Sequence, residues 1–141
     1  MKIEQTFTRK ANDPDRFTPF SAWLRELGPP LDSRNISNQN LDYVWHNYRE
    51  SWIITIEEKR FGAWCNRAQS DTHGIVSQML SNSSGMQVQT LRGIRPCEYR
   101  GHYVIRFSQT TPDDSDTIII NGQPVDKAAL MRLLETGKLD D

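Results

Sequence analysis

The chain is poor in the residues that would place it quickly. It has two cysteines, Cys65 and Cys97, and three histidines in 141 residues. Two thiols cannot build a disulfide framework, so both are expected to be free, in a reducing cytoplasm. No apolar run follows Met1-Lys2, so no signal peptide is expected. No stretch approaches the roughly 18 apolar residues that cross a bilayer, so no membrane partner is expected. Charge of one sign is also missing: the net charge is −1 and the pI about 6.3. That weighs against a high-affinity, non-specific nucleic-acid binder, although a local basic patch can sit on a neutral protein.

What remains is the composition of a polar globular domain. Hydrophobic residues make up 36%, charged residues 25%, and the mean hydropathy is −0.68. Four Trp, four Tyr and five Phe supply large bodies for a core, and the length suits one domain.

Along the chain, residues 1–17 read as a loosely ordered lead-in, with a short strand at Ile3–Phe7. Thr18 caps a helix that opens on Pro19 and carries Phe20, Trp23, Leu24 and Leu27 on one face; Gly28-Pro29-Pro30 stops it. Residues 29–39 are a Pro-, Ser- and Asn-rich loop. Two adjacent strands follow, Asn40–Trp45 and Trp52–Lys59. In the first, Asp42, Val44 and His46 share a face; in the second, Ile53, Thr55, Glu57 and Lys59 do. Both faces of the pair are substantially apolar, which favours a central sheet covered on two sides.

Ile75, Val76, Met79 and Leu80 predict a helix over 67–82. Met86–Leu91 reads as a short strand and Arg100–Phe107 as a clearly alternating one. Asn121-Gly122 marks a tight turn within a hairpin over Thr117–Val125. Asp126 caps a last helix with Leu130, Met131, Leu133 and Leu134, ending at Gly137. The fold class expected is α/β or α+β, a mixed sheet flanked by helices. The domain layout expected is one domain: a core over 18–108 and a hairpin-helix extension over 117–137.

The strand pair carries the chemistry. Cleaving a phosphodiester needs a metal to neutralise the phosphate, an activated water and help for the leaving oxygen. Mg²⁺ takes oxygen ligands and commonly only one or two carboxylates. Asp42 and Glu57, on neighbouring strands, could supply those, with the Glu58 carbonyl as a further ligand. Strand alternation sets Lys59 beside Glu57 and turns Glu58 away. An ammonium there can orient the water or meet developing negative charge.

Asp42 followed by a strand ending Glu57-x-Lys59 resembles the PD-(D/E)xK nuclease superfamily, from about Pro19 to Phe107. The resemblance implies a restriction-endonuclease-like core, Mg²⁺ or Mn²⁺ as cofactor, and hydrolysis of DNA or RNA. Such proteins often place a Glu on the preceding helix and a Gln on the helix after the lysine strand; Glu26 and Gln78 stand in those places. Two departures are Leu41, where the motif has proline, and the lack of a clear strand between the first helix and Asp42, where only Arg34–Ser37 offers one. The overall look is similar to small proteins carried by phages and prophages.

Other residues offer further candidates. Arg92, Arg95, Arg100 and Arg106, interleaved with Tyr99 and Tyr103, form a basic-aromatic segment suited to phosphates and bases. The bland alternative is a solvated strand face. His46 shares the Asp42 face and reads as a surface imidazole or an approach to the metal. Cys65, His73, Cys97 and His102 lack the spacing of a zinc knuckle. Asp113–Asp116 lacks the Gly and distal Glu of a calcium loop. The expectation is therefore a metal-dependent nuclease acting on nucleic acid. The alternative is a non-catalytic nuclease-like module that binds nucleic acid or a host protein. A homodimer through the hairpin and the last helix is compatible with either.

Overall fold

A computed structural model describes residues 18–26 and 39–139. The chain divides into two compact units, 1–39 and 40–141, each taken by itself. The lead-in over 1–17, the Gly28-Pro29-Pro30 stop and Arg34–Ser37 lie outside the described residues.

Of the first unit, helix α1 runs Pro19–Glu26. The second unit is built on a five-stranded mixed sheet. Its strands are β1 (Tyr43–Asn47), β2 (Trp52–Lys59), β5 (Glu98–Phe107), β6 (Ile118–Ile120) and β7 (Gln123–Val125), in that spatial order. β1 runs antiparallel to β2, with Tyr43 opposite Ile56 and Val44 opposite Thr55. β2 runs parallel to β5, with Glu57 opposite Val104 and Lys59 opposite Arg106. The parallel crossover carries α2 (Arg67–Asn82) and a separate hairpin, β3 (Gln87–Thr90) with β4 (Gly93–Pro96). Helix α3 (Lys127–Thr136) is the last of the described elements.

Strand alternation assigns the two faces different work. Trp52, Ile54, Ile56, Ile105, Phe107, Ile118 and Ile120 form one face and meet Leu130 and Leu133 of α3; this is the core. The hairpin and helix over 117–137 belong to these layers. They complete the sheet and cover its apolar face. The same packing places Leu130 and Leu133 inside their own chain, so they offer no surface for the dimer expected through that helix.

The other face presents Thr55, Glu57 and Lys59, and α2 lies over it. A β-bulge brings two β5 side chains to this face. Ile53 is opposite Tyr99, but Thr55 is opposite His102, so β5 has one residue too many. Gly101, at φ +112, takes up the irregularity, in a region that a Cβ disfavours. As a result both Tyr99 and His102 meet Thr55, while Arg100 between them turns to the α3 face and stacks over Trp52.

Helix α2 exists where the periodicity predicts it, but it faces the other way. Ile75, Val76 and Met79 are exposed, whereas His73 is buried. The inward stripe is Gln69, His73 and Ser77, one residue every four.

Candidate functional site

At the end of β2, Glu57 is only 2% exposed although it is a carboxylate. Its Oε1 accepts the Gln69 amide at 2.7 Å and lies 3.3 Å from the Lys59 ammonium. Lys59 in turn donates to Gln69 Oε1 at 2.8 Å. The three side chains close a triangle. Gln69 can serve both partners because its amide carries a donor and an acceptor. Local sequence fixes it there: Asn66 caps α2 by accepting the Gln69 N–H at 2.7 Å, which begins the helix in that orientation.

Asp42 stands one residue before β1, beside the end of β2. Its Oδ2 accepts the Glu58 N–H at 2.8 Å. Burial pushes the Glu57 carboxyl above the ordinary carboxylate range, and the Asp42 charge pushes it further; Lys59 and His73 pull it back. His73 Nε2 lies 3.9 Å from Glu57 Oε2 and 2.7 Å from the Asn40 carbonyl, to which it donates in the matching tautomer. Among the described residues, Glu57 Oε2 is buried without a hydrogen-bond partner. An orphaned acceptor of that kind is what a cation, a proton or a water satisfies.

Beneath the triangle runs a second polar chain. Thr55 Oγ1 lies 2.8 Å from both the Tyr99 hydroxyl and His102 Nδ1, and Tyr99 donates to Ser77 at 3.3 Å. The His73 and His102 rings meet edge to face at 5.0 Å. Burial holds the His102 pKa below the usual imidazole value, and the neighbouring His73 adds to that.

The sequence-predicted residues divide into two groups. Asp42, Glu57 and Lys59 come together; Gln78 does not join them. Gln78 is exposed and stands nine positions beyond Gln69, which turns it about 180° around the helix. The glutamine that reaches the lysine strand is Gln69. His46 sits at the far end of β1 from Asp42, roughly 13 Å along the strand, opposite Ile53 and against Tyr48. Glu26 is exposed on α1.

The four arginines do not form one surface. Arg95 donates to the Tyr48 and Arg49 carbonyls. The bulge sends Arg100 to Glu98 and the end of α3. Arg106 donates to the Gly62 and Ala63 carbonyls. Arg92, on the β3–β4 turn, lies over the Tyr48 ring. Tyr99, expected between them as a contact, is buried.

Gln69 carries no expectation in the sequence, and His73, Thr55 and Tyr99 stand there in other roles: a weak zinc candidate, a strand-face residue and a stacking aromatic. The signal for the helical pair was a Gln and a His at i, i+4 after an Asn cap; the apolar residues on the opposite side obscured it.

Among the described residues, no three His, Cys, Asp or Glu side chains group as metal ligands. A site for Mg²⁺ needs only one or two carboxylates, the remainder being carbonyls and water. Asp42, with Oδ1 outside its bond to Glu58, and Glu57, with its orphaned Oε2, fit that donor chemistry. Cys65 lies close by: burial raises its pKa, and Lys59, Glu57, Asp42 and Arg106 all act on it. An apolar groove of about 240 Å³ is on the other face, between Trp45, Ile56, Phe107 and Leu134. Asp114 is taken up by Thr110 and Thr111 of its own loop. No helix of the described residues is long and apolar enough to cross a membrane. Comparison with family models, with curated proteins and with solved structures gave no match.

Proposed function

We propose that the chain is a metal-dependent nuclease that hydrolyses phosphodiester bonds in DNA or RNA. One observation carries the reading: a buried carboxylate, Glu57, is held by Lys59 and Gln69 at a strand end, with the Asp42 carboxylate anchored on the same strand's backbone. Folding alone does not favour burying a carboxylate beside a second one, because desolvation and like charge both oppose it. Clusters of this kind occur where ionisation has work to do.

Asp42 and Glu57 would hold Mg²⁺ or Mn²⁺, with the Glu58 carbonyl as a further ligand. When bound, such an ion neutralises phosphate charge and makes its bound water more acidic. The chain's own residues set the rest. Gln69 fixes the Glu57 carboxylate and the Lys59 ammonium relative to one another. Lys59 is thereby aimed at the space beside Glu57, where it orients water or meets the charge that develops on the phosphate. Two free thiols suit an enzyme working in a reducing cytoplasm.

A specific observation favours a second reading, a nuclease-like module that binds nucleic acid or a host protein without cutting. Glu57 is almost fully covered and three of its neighbours already engage it. The experiment is a cleavage assay on single-stranded, duplex and branched substrates with and without Mg²⁺ or Mn²⁺. Metal-dependent cleavage that falls about 100-fold or more in Lys59→Ala is the expected result. Metal-independent cleavage, or full activity in that variant, rejects the mechanism. Binding without cleavage in any metal selects the second reading.

A further inference from the structure

We propose that the loop following Lys59, residues 60–66, is a stacking platform for unpaired bases, so that the substrate class is single-stranded nucleic acid. The proposal rests on the nuclease reading for what happens after binding, but its evidence is separate. The segment reads Lys59-Arg60-Phe61-Gly62-Ala63-Trp64-Cys65-Asn66-Arg67. It has cations at both ends, no acid, and two large aromatics between. Phe61 is 64% exposed and Trp64 73%. Isolated exposed aromatics are ordinary, but two in one short loop are apolar area that folding has left in water.

The loop is also held rigidly in that form. The Phe61 and Gly62 amides donate to the Gln109 and Phe107 carbonyls at 3.3 and 3.1 Å. Arg106 donates to the Ala63 and Gly62 carbonyls at 3.0 and 3.1 Å, and its guanidinium lies 3.3 Å from the Trp64 ring centre. Phe61 itself sits at φ +54, a left-handed conformation that is costly for a bulky residue. Backbone strain and a dedicated arginine thus present two rings outward rather than burying them.

Position ties the rings to the carboxylates. Arg106, which stacks on Trp64, is the register partner of Lys59. Cys65, next to Trp64, lies within electrostatic range of Glu57, Asp42 and Lys59. Among the described residues neither Arg60 nor Arg67 is in an ion pair, so both can meet phosphates. Aromatic faces interleaved with cations bind splayed bases and their backbone irrespective of sequence. Duplex bases are already stacked on one another and cannot use such a platform.

The test is a titration of the full chain in EDTA, where no cleavage occurs. Short oligothymidylate and a matched duplex are the probes, with tryptophan emission and anisotropy as readouts. Oligothymidylate should quench emission. Trp64→Ala should weaken its binding by about tenfold and Phe61→Ala by several-fold, while Trp64→Phe keeps most of the affinity and duplex binding does not change. Circular dichroism checks folding; should Trp64→Ala unfold, Phe61→Ala still decides. Unchanged oligothymidylate affinity in Phe61→Ala or in folded Trp64→Ala, or an equal loss for duplex, overturns the platform. So does quenching by polyglutamate in place of oligothymidylate, which would make the partner an acidic peptide. Loss of the platform leaves the metal-dependent cleavage assay standing. Absence of cleavage with intact, Trp64-dependent binding rejects the nuclease reading instead.

Discussion

At the scale of single residues, Glu57 and His102 put opposite pH slopes into one face of the sheet. Burial and the Asp42 charge raise the folded-state pKa of Glu57 above its unfolded value. Between the two values the folded chain holds a proton that the unfolded chain has released. The stability this contributes is therefore fully present below the ordinary carboxylate range and is lost as pH rises through the folded pKa. His102 is the reverse, because burial and His73 depress its pKa. Its contribution is present above the ordinary imidazole value and is lost as pH falls through the depressed one. Glu57→Gln keeps the shape of the acid without its ionisation. In EDTA it should melt a few degrees above the parent at neutral pH, and the gap should close as pH is lowered toward about 4. Thermal melts across that range check it. A variant that melts below the parent at neutral pH would mean that the Lys59 pair outweighs the desolvation it offsets. His102→Asn, measured alongside, should flatten the loss below about pH 6.5.

Among the elements, what the sequence made legible depended on whether local chemistry and packing agreed. Helix α3 was readable to its ends because Asp126 and Gly137 are strong caps and its leucines point at the core. Asp126 accepts the Ala129 N–H, and Gly137 closes the helix at φ +70 by donating to Leu133. The tightness at that end was not readable. A Cβ on Gly137 would come within 2.9 Å of both Trp52 and Arg100. Gly137→Ala should therefore cost roughly 2–4 kcal/mol, from left-handed strain and overpacking together, seen as a lower thermal midpoint with an unchanged m-value in urea. A loss under about 0.5 kcal/mol would show that the helix end shifts freely. The motif strands were legible from alternation, since one face of β2 runs Trp52, Ile54 and Ile56 before it reaches Glu58. Helix α2 was legible in extent but not in facing. Its apolar residues look outward, and a polar stripe serves Glu57 and Tyr99 instead. Hydrophobic periodicity cannot find a helix face selected for hydrogen bonding. Gln78 rested on the family resemblance, which gives a helix but not the face that meets β2; Gln69 is on that face. The arginines of 92–106 looked like one patch because strict alternation ignores the bulge that Gly101 marks, which sends Arg100 to the other face.

For the molecule as a whole, the sheet separates stability from chemistry. The apolar core, with Trp52, Ile120 and Leu133 fully buried, lies on the α3 side. Glu57, His73 and His102 lie on the α2 side, each with a buried polar atom that has no partner among the described residues. A domain that placed both on one face would have to trade packing against charge at every position. Here the backbone of β2 stands between them: Leu133 packs into the apolar core, whereas Glu57 is engaged by Lys59, Gln69 and His73. That arrangement has a thermodynamic consequence. Leu133→Ala empties a fully buried site and should cost about 2–5 kcal/mol. Glu57→Gln should change stability in the opposite direction at neutral pH, through a group on the far face. Mutations without shared partners add to within about 0.5 kcal/mol. The double variant should therefore unfold at the sum of the two single effects, and the slope of stability with pH should be as flat in Leu133→Ala/Glu57→Gln as in Glu57→Gln alone. Urea unfolding of the four proteins at two pH values measures both. A coupling energy well above about 0.5 kcal/mol would mean that repacking under α3 moves β2 enough to disturb Glu57, Lys59 and Gln69, so that the two faces work as one unit.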